Sequence, residues 1–223
     1  MKRLAFLIAL AAPALAAPAV AQAQRAPAPA PADWTERVEM TAEGGYLMGN
    51  PQAPMKLVEY GSITCSHCAD FEIEQGRAIR DQVRTGRVSF EFRPYMIFAS
   101  DPPLFMMLRC QAPERFFRTA HALFLDQSRW SAQIEAAAAQ SARAPDGAAI
   151  LRAGGLDRFF RDQGLSSAQI NRCLSDGAAY SALLAGNHAA AERGVRGTPT
   201  FFLNGRELQV GSYAEVTAAL MQP

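Results

Sequence analysis

Leu57-Val58-Glu59-Tyr60-Gly61-Ser62-Ile63-Thr64-Cys65-Ser66-His67-Cys68 carries a short apolar run into a pair of cysteines two residues apart. The run reads as a buried strand. The chain beyond it reads as an amphipathic helix, with Cys68, Phe71, Ala78, Ile79 and Val83 on one side, Thr64 as its N-cap and Gly76 as a kink. A cysteine in the first turn of a helix faces unpaired backbone N–H groups and the positive end of the macrodipole, and both favour thiolate over thiol. Cys65 is therefore expected to be the exposed nucleophile. Cys68, one turn later, is placed to attack a mixed disulfide and release the partner. Ser66 and His67, between them, are expected to tune reactivity, His67 by adding positive charge when protonated.

A purely structural disulfide is a poor use of this spacing, because a loop of two residues constrains the unfolded chain little. Zinc needs four ligands, and no second close Cys or His pair accompanies the first; His121 and His188 stand alone and read as ordinary surface or core histidines. Redox exchange, with no cofactor and no metal, is the reading that fits.

The N-terminus reads as a secretory signal. Lys2-Arg3 is a charged start, Leu4 to Ala12 an apolar run, and Ala21-Gln22-Ala23 an A-x-A cleavage site, which assigns residues 1–23 to a signal peptide. The apolar run is short and is followed by Pro13 and Pro18, so a cleaved signal is favoured over a membrane anchor. The expected location is the periplasm, although a signal by itself also suits a eukaryotic lumen. Residues 24–33 alternate Pro and Ala and read as an extended tether. The remaining chain, 34–223, is of single-domain length, and 49% hydrophobic residues suffice for a core. The full chain has 22 basic and 21 acidic side chains, and loss of Lys2 and Arg3 leaves 20 against 21. Such a balance gives no electrostatic basis for binding nucleic acid or an anionic membrane.

Along the domain, Trp34 to Met40 and Tyr46-Leu47-Met48 read as strands around the Gly44-Gly45 turn. Lys56 to Tyr60 is the next strand, and Val88, Phe90 and Phe92 alternate with Ser89, Glu91 and Arg93 until Pro94. From about Asp101 to Arg193 the pattern is helical only: Pro113 to Leu125, Ala132 to Ala142, a helix opened by the capping box Ser166-x-x-Gln169, and Ala178 to Glu192. Strands return at Thr200 to Leu203 and Leu208 to Val210 around the hairpin signal Asn204-Gly205, and Ser212-x-x-Glu215 opens a last helix ending near Met221. Strand, helix, strand, helical block, hairpin and helix make an α/β thioredoxin fold with an inserted all-helical subdomain at about 101–193.

Gly49-Asn50-Pro51 with Leu57-Val58-Glu59-Tyr60, then Cys65-x-x-Cys68, then Gly194-Val195-Arg196-Gly197-Thr198-Pro199-Thr200-Phe201-Phe202 together resemble the DsbA family of periplasmic thiol–disulfide oxidoreductases, over roughly Gly49 to Met221. The resemblance implies disulfide chemistry on exported proteins. It implies that Pro199 is cis in a loop facing the two cysteines, where the sequence alone would suggest an ordinary trans proline opening an edge strand. Thr198 would then offer its backbone to an extended substrate beside Cys65, with its hydroxyl near the sulfur. Glu59, six residues before Cys65, matches a buried acid of the family and is expected to exchange protons with Cys68; an exposed strand position is the alternative. Ser66 departs from the proline often found there, which bears on the redox potential. The resemblance implies a quinone-linked, DsbB-like membrane protein as reoxidant; the protein is expected to be a monomer, and its charge balance gives no expectation of nucleic acid.

Cys110 and Cys173 lie at helical spacing with Met106 and Met107 and with Ile170 and Leu174, so both face the interior of the helical block. They read as a structural disulfide, with two separate buried thiols as the alternative. Pro94 to Phe98 and Pro103 to Met107 are apolar enough to line a substrate groove, but core is the simpler reading. The expected function is a dithiol oxidase of exported proteins. A disulfide isomerase or reductase kept reduced by a membrane electron donor is the second reading, which Thr198 before Pro199 favours. A non-catalytic chaperone or metal-binding module is the third.

Overall fold

The computed structural model describes residues 33–140 and 146–221. The expected signal peptide, residues 1–23, and nearly all of the expected tether lie outside that range. Asp33, assigned to the tether, is instead ordered. Its carboxylate caps a 3-10 turn over Trp34–Glu36 by accepting from the Thr35 N–H, and it pairs with Arg84 at 2.9 Å. The strand expected from Trp34 is thus shortened to Val38–Met40, β1.

β1 is followed by β2 (Tyr46–Gly49), β3 (Met55–Gly61), helix α1 (Ser66–Arg84) and β4 (Val88–Pro94). After the helical block come β5 (Thr200–Leu203), β6 (Arg206–Glu207) and α9 (Tyr213–Leu220). The sheet order is β1-β2-β4-β3-β5-β6. Among the described strands, only β3 and β4 pair in parallel, and α1 supplies the crossover that a parallel pair requires. β5 lies antiparallel to β3, with Tyr60 opposite Thr200. That pairing brings the start of β5 alongside the end of β3, where the cysteine loop begins.

Asn204 and Gly205 both have positive φ, 50° and 82°, the signature of a two-residue hairpin turn. Such a turn starts pairing at once, Leu203 with Arg206 and Phe202 with Glu207, so β6 falls two residues earlier than the apolar stretch Leu208 to Val210 suggested. β4 is also more enclosed than its alternation implies. Ser89 and Glu91 are both buried, and Glu91 is satisfied there by Thr41, from the β1–β2 connection, donating at 2.7 Å and by Arg93 donating twice, at 2.9 and 2.8 Å.

The insertion consists of α2 (Asp101–Arg109), α3 (Phe116–Leu125), α4 (Gln127–Ala139), α5 (Gly147–Ala153), α6 (Leu156–Asp162), α7 (Ser167–Leu174) and α8 (Gly177–Glu192). Both arms of the capping box at Ser166 form, with the Gln169 N–H donating to the Ser166 hydroxyl and the Gln169 side chain accepting the Ser166 N–H. Leu104, Phe105 and Met107 are fully buried, so the Pro103 to Met107 run is core. The neighbouring run divides: Ile97 and Phe98 are exposed at its tip.

Among the described residues, the core forms three apolar clusters. One lies between the sheet and helices α1 and α9, with Leu57, Phe71, Ile79, Val88, Phe90, Phe201 and Val216. A smaller one, Tyr60, Ala190, Val195 and Phe202, fixes the end of α8 to the other side of the sheet. The largest fills the insertion and extends through Ile63 to Cys65 and Cys68. The two cysteines therefore pack into the core of the helical insertion although they sit at the start of α1, Cys65 as its N-cap and Cys68 in its first turn. Among the described residues, no helix is long and apolar enough to cross a membrane.

Candidate active site

Helix α1 begins one residue later than expected, and Cys65 itself is the N-cap, in extended backbone with no side-chain capping bond. Thr64 is not the cap because its hydroxyl is drawn away to the buried carboxylate of Asp101, at 2.9 Å. The Cys65 sulfur faces the first-turn N–H groups of His67 and Cys68, and the thiol donates to the carbonyl oxygen of Thr198 at 3.4 Å. The Thr198–Pro199 bond is cis.

The two sulfurs stand in opposite electrostatic settings. Hydrogen bonding from the Cys68 thiol lowers the Cys65 pKa to about 5; the Thr198 hydroxyl and the backbone N–H groups of Cys68 and His67 add to this, against the opposing effect of burial. Cys68 is pushed well above the ordinary thiol range by its complete burial, by donating to Cys65 and by the carboxylate of Glu59. Thr198 Oγ1 is buried without a hydrogen-bond partner while Cys65 is a thiol. The exposure contrast expected from sequence is narrower: Cys65 is 6% exposed and Cys68 0%, because the Thr198 loop lies over the first sulfur.

Glu59 projects from β3 into this enclosure. It is 3% exposed, and its Oε1 has no hydrogen-bond partner. Burial raises its pKa well above the carboxylate range, the charges of Glu72 and Cys65 raise it further, and the Cys68 thiol acts against them. Glu72 in turn accepts from Arg80 at 2.6 Å and lies 2.8 Å from His121 Nδ1, which gives that isolated histidine a partner.

The structure brings Glu59, Cys65, Cys68, Thr198 and Pro199 together. Ser66 and His67 are exposed at the helix start. The His67 ring lies 4.0 Å from Asp70, so it is the backbone N–H of His67, and not its ring, that acts on Cys65. Cys110 and Cys173 are joined by a disulfide between the end of α2 and α7, with Cα atoms 5.8 Å apart. Among the described residues no cluster of three or more His, Cys, Asp or Glu side chains is arranged to hold a metal ion.

Sequence reasoning missed two residues of the site. Asp101 opens α2 and is fully buried under the cysteine loop; Asp101-Pro102-Pro103 is a helix-start signal, but nothing local turns its carboxylate inward. Gln127 opens α4 and donates to the carbonyl oxygens of Ile63 and Cys65 at 2.8 and 2.9 Å, a purely tertiary contact with no sequence signature.

The thioredoxin family model matches residues 41–222. The chain belongs to the thioredoxin family. Within that family its fold is the one with the inserted helical domain. It is similar to the crystal structure of a protein-disulfide isomerase from Novosphingobium aromaticivorans, at 28% identity and a TM-score of 0.71, over 80% of this chain and 98% of that one. It also shares its fold with Wolbachia pipientis alpha-DsbA1, at 22% identity and a TM-score of 0.59, over 76% and 80% of the two chains. A curated Rickettsia bellii relative, provisionally named a protein-disulfide oxidoreductase, is 24% identical over 181 residues. This thioredoxin-family chain spans 64% of the length of that relative.

Proposed function

We propose that the protein is a thiol–disulfide oxidoreductase that introduces disulfides into exported proteins. The observation that carries this reading is the asymmetry of the cysteine pair: Cys65, with a pKa of about 5, is a thiolate at neutral pH, and Cys68 is enclosed and held as a thiol. In the oxidised enzyme a substrate thiolate attacks the Cys65 sulfur, the Cys65–Cys68 bond breaks, and Cys68 leaves with the electron pair. Glu59, buried beside the pair with its pKa raised by that burial, is the proton donor to Cys68. A second substrate thiolate attacks the substrate sulfur of the mixed disulfide and expels Cys65 as thiolate. Two substrate thiols are thereby oxidised and one enzyme disulfide is reduced to a dithiol. A low pKa makes Cys65 a good leaving group and stabilises the reduced form, which makes the disulfide oxidising. Thr198 supplies the backbone along which an extended substrate lies.

The reading includes a periplasmic location after signal cleavage, reduced exported proteins as substrates, a DsbB-like quinone-linked reoxidant and a monomeric state. Disulfide isomerisation or reduction is the second reading. It is favoured by Thr198 before Pro199 and by the name of the Novosphingobium relative. The test is incubation of the oxidised protein with reduced, unfolded ribonuclease and, separately, with scrambled ribonuclease, together with the redox state of Cys65 and Cys68 in cells. Stoichiometric oxidation of the reduced substrate and a mostly oxidised pair are expected. A mostly reduced pair with rescue of scrambled substrate selects the isomerase, and no exchange with either substrate refutes both.

A further inference from the structure

The segment leading into the nucleophile belongs to no helix or strand, yet each of its residues is tied to the helical insertion. Asp101 accepts at Oδ1 from the hydroxyls of Ser62 and Thr64, at 2.7 and 2.9 Å. Its Oδ2 accepts from the backbone N–H groups of Ile97 and Phe98, at 2.8 and 3.0 Å. Gln127, buried at the start of α4, donates from Nε2 to the carbonyl oxygens of Ile63 and Cys65. A carboxylate and an amide buried at these positions are costly unless fully bonded, and both hold the same short segment, Asp101 through the hydroxyls of Ser62 and Thr64 and Gln127 through the backbone of Ile63 and Cys65.

The direction of the Cys65 sulfur follows from that backbone. Cys65 is an N-cap without a side-chain capping bond, so its φ and ψ decide whether the sulfur meets the N–H groups of His67 and Cys68 or turns away from them. We infer that Gln127 and Asp101 are positioning residues for Cys65, through which the helical insertion sets the reactivity of a thiol that belongs to the thioredoxin helix. This deepens the oxidoreductase reading and rests on it. Trp130 and Ile134, further along α4 from Gln127, line a pocket with Thr64 and the exposed Phe98, so displacement of the insertion at that pocket bears directly on both bonds.

The experiment measures the Cys65 thiolate by absorbance at 240 nm against pH in the reduced full-length protein, and the equilibrium constant of the pair with glutathione. Gln127→Met keeps length and apolar fit and loses both donors. Its Cys65 pKa is expected to rise from about 5 by about one unit, a tenfold change in thiolate equilibrium, with the pair becoming a weaker oxidant by a similar factor. Asp101→Asn and Thr64→Val should shift both quantities in the same direction, and Thr64→Val keeps the test open if Asp101→Asn does not fold. Gln133→Met, on the exposed side of α4, should change neither. Folded Gln127→Met and Thr64→Val proteins that keep the parent pKa and glutathione equilibrium overturn the inference. A parent protein inert toward protein thiols overturns the oxidoreductase reading instead, and leaves the pKa comparison fully readable.

Discussion

Cys65 and Thr198, 133 residues apart in sequence, meet at 3.4 Å, the thiol of the first donating to the backbone carbonyl of the second. The contact exists because β5 pairs antiparallel with β3, which sets the start of one strand against the end of the other. Thr198 brings two groups to the sulfur. Its carbonyl accepts from the thiol, and its buried hydroxyl stabilises the thiolate.

Thr198→Val separates these two roles, since the carbonyl stays and the hydroxyl goes. The Cys65 pKa should rise above about 5 by up to about one unit, the size of one hydrogen bond. Stability of the reduced protein should fall at neutral pH, where the thiolate loses this donor, and hold or rise slightly below about pH 5, where Cys65 is a thiol and the hydroxyl has no partner. Thiolate absorbance and urea unfolding of the reduced protein check the two halves of the prediction.

The pH dependence of the reduced protein's stability should carry the mark of Cys65. Its pKa is depressed in the folded state, so its contribution is present above the ordinary thiol value and is lost as pH falls toward about 5. Relative to Cys65→Ser, the reduced protein should therefore gain unfolding free energy between about pH 5 and pH 8. A flat difference across that range contradicts the assignment of the thiolate to Cys65.

Glu59 should act in the opposite sense. A carboxyl group whose pKa is raised on folding favours the folded state most at low pH, and that advantage is lost as pH rises through its folded value. Glu59→Gln removes the titration and should make the protein relatively more stable at neutral pH and above. It should also slow formation of the mixed disulfide, the step in which Cys68 leaves, by about 10²-fold, the low end of what a positioned acid–base group contributes. Stopped-flow exchange with a dithiol peptide measures the loss, and an unchanged rate excludes Glu59 as the proton donor to Cys68.

The second disulfide is expected to contribute stability and no chemistry. Cys110 and Cys173 are 63 residues apart, and closing a loop of that length stabilises by about 4 kcal/mol in the chain-entropy model. Cys110→Ala combined with Cys173→Ala should lower the unfolding free energy by up to that amount. Oxidation of reduced ribonuclease by Cys65 and Cys68 should persist at near the parent rate.

The legible parts of the sequence obey local rules. Cysteine spacing, the turn signal Asn204-Gly205 and the Ser166 capping box each act over a few residues, and each has a fixed structural outcome. Glu59 is conspicuous because a carboxylate is out of place in an apolar strand. Where a tertiary contact competes with a local rule, sequence alone misleads: Thr64 satisfies the N-cap preference, but Asp101, 37 residues away, offers its hydroxyl a buried carboxyl acceptor. His67 is legible as a potential cation, yet only the packed helix shows that its ring is turned to solvent while its N–H serves the sulfur. Gln127 is invisible in sequence, since its two acceptors are more than sixty residues away and are backbone atoms, which leave no trace in side-chain pattern.

The pairing of β3 with β5 also orders events during synthesis. Cys65 leaves the ribosome, and any export channel, well before Thr198 does, and the whole insertion that supplies Asp101 and Gln127 is made in between. Until β5 docks, the nascent chain carries an ordinary cysteine pair without its completed electrostatic setting, exposed to the same oxidants as any client. Under the proposed function, a protein that would handle the disulfides of others thus begins as a substrate for the same chemistry, and its specialised thiol is complete only when β5 joins the sheet.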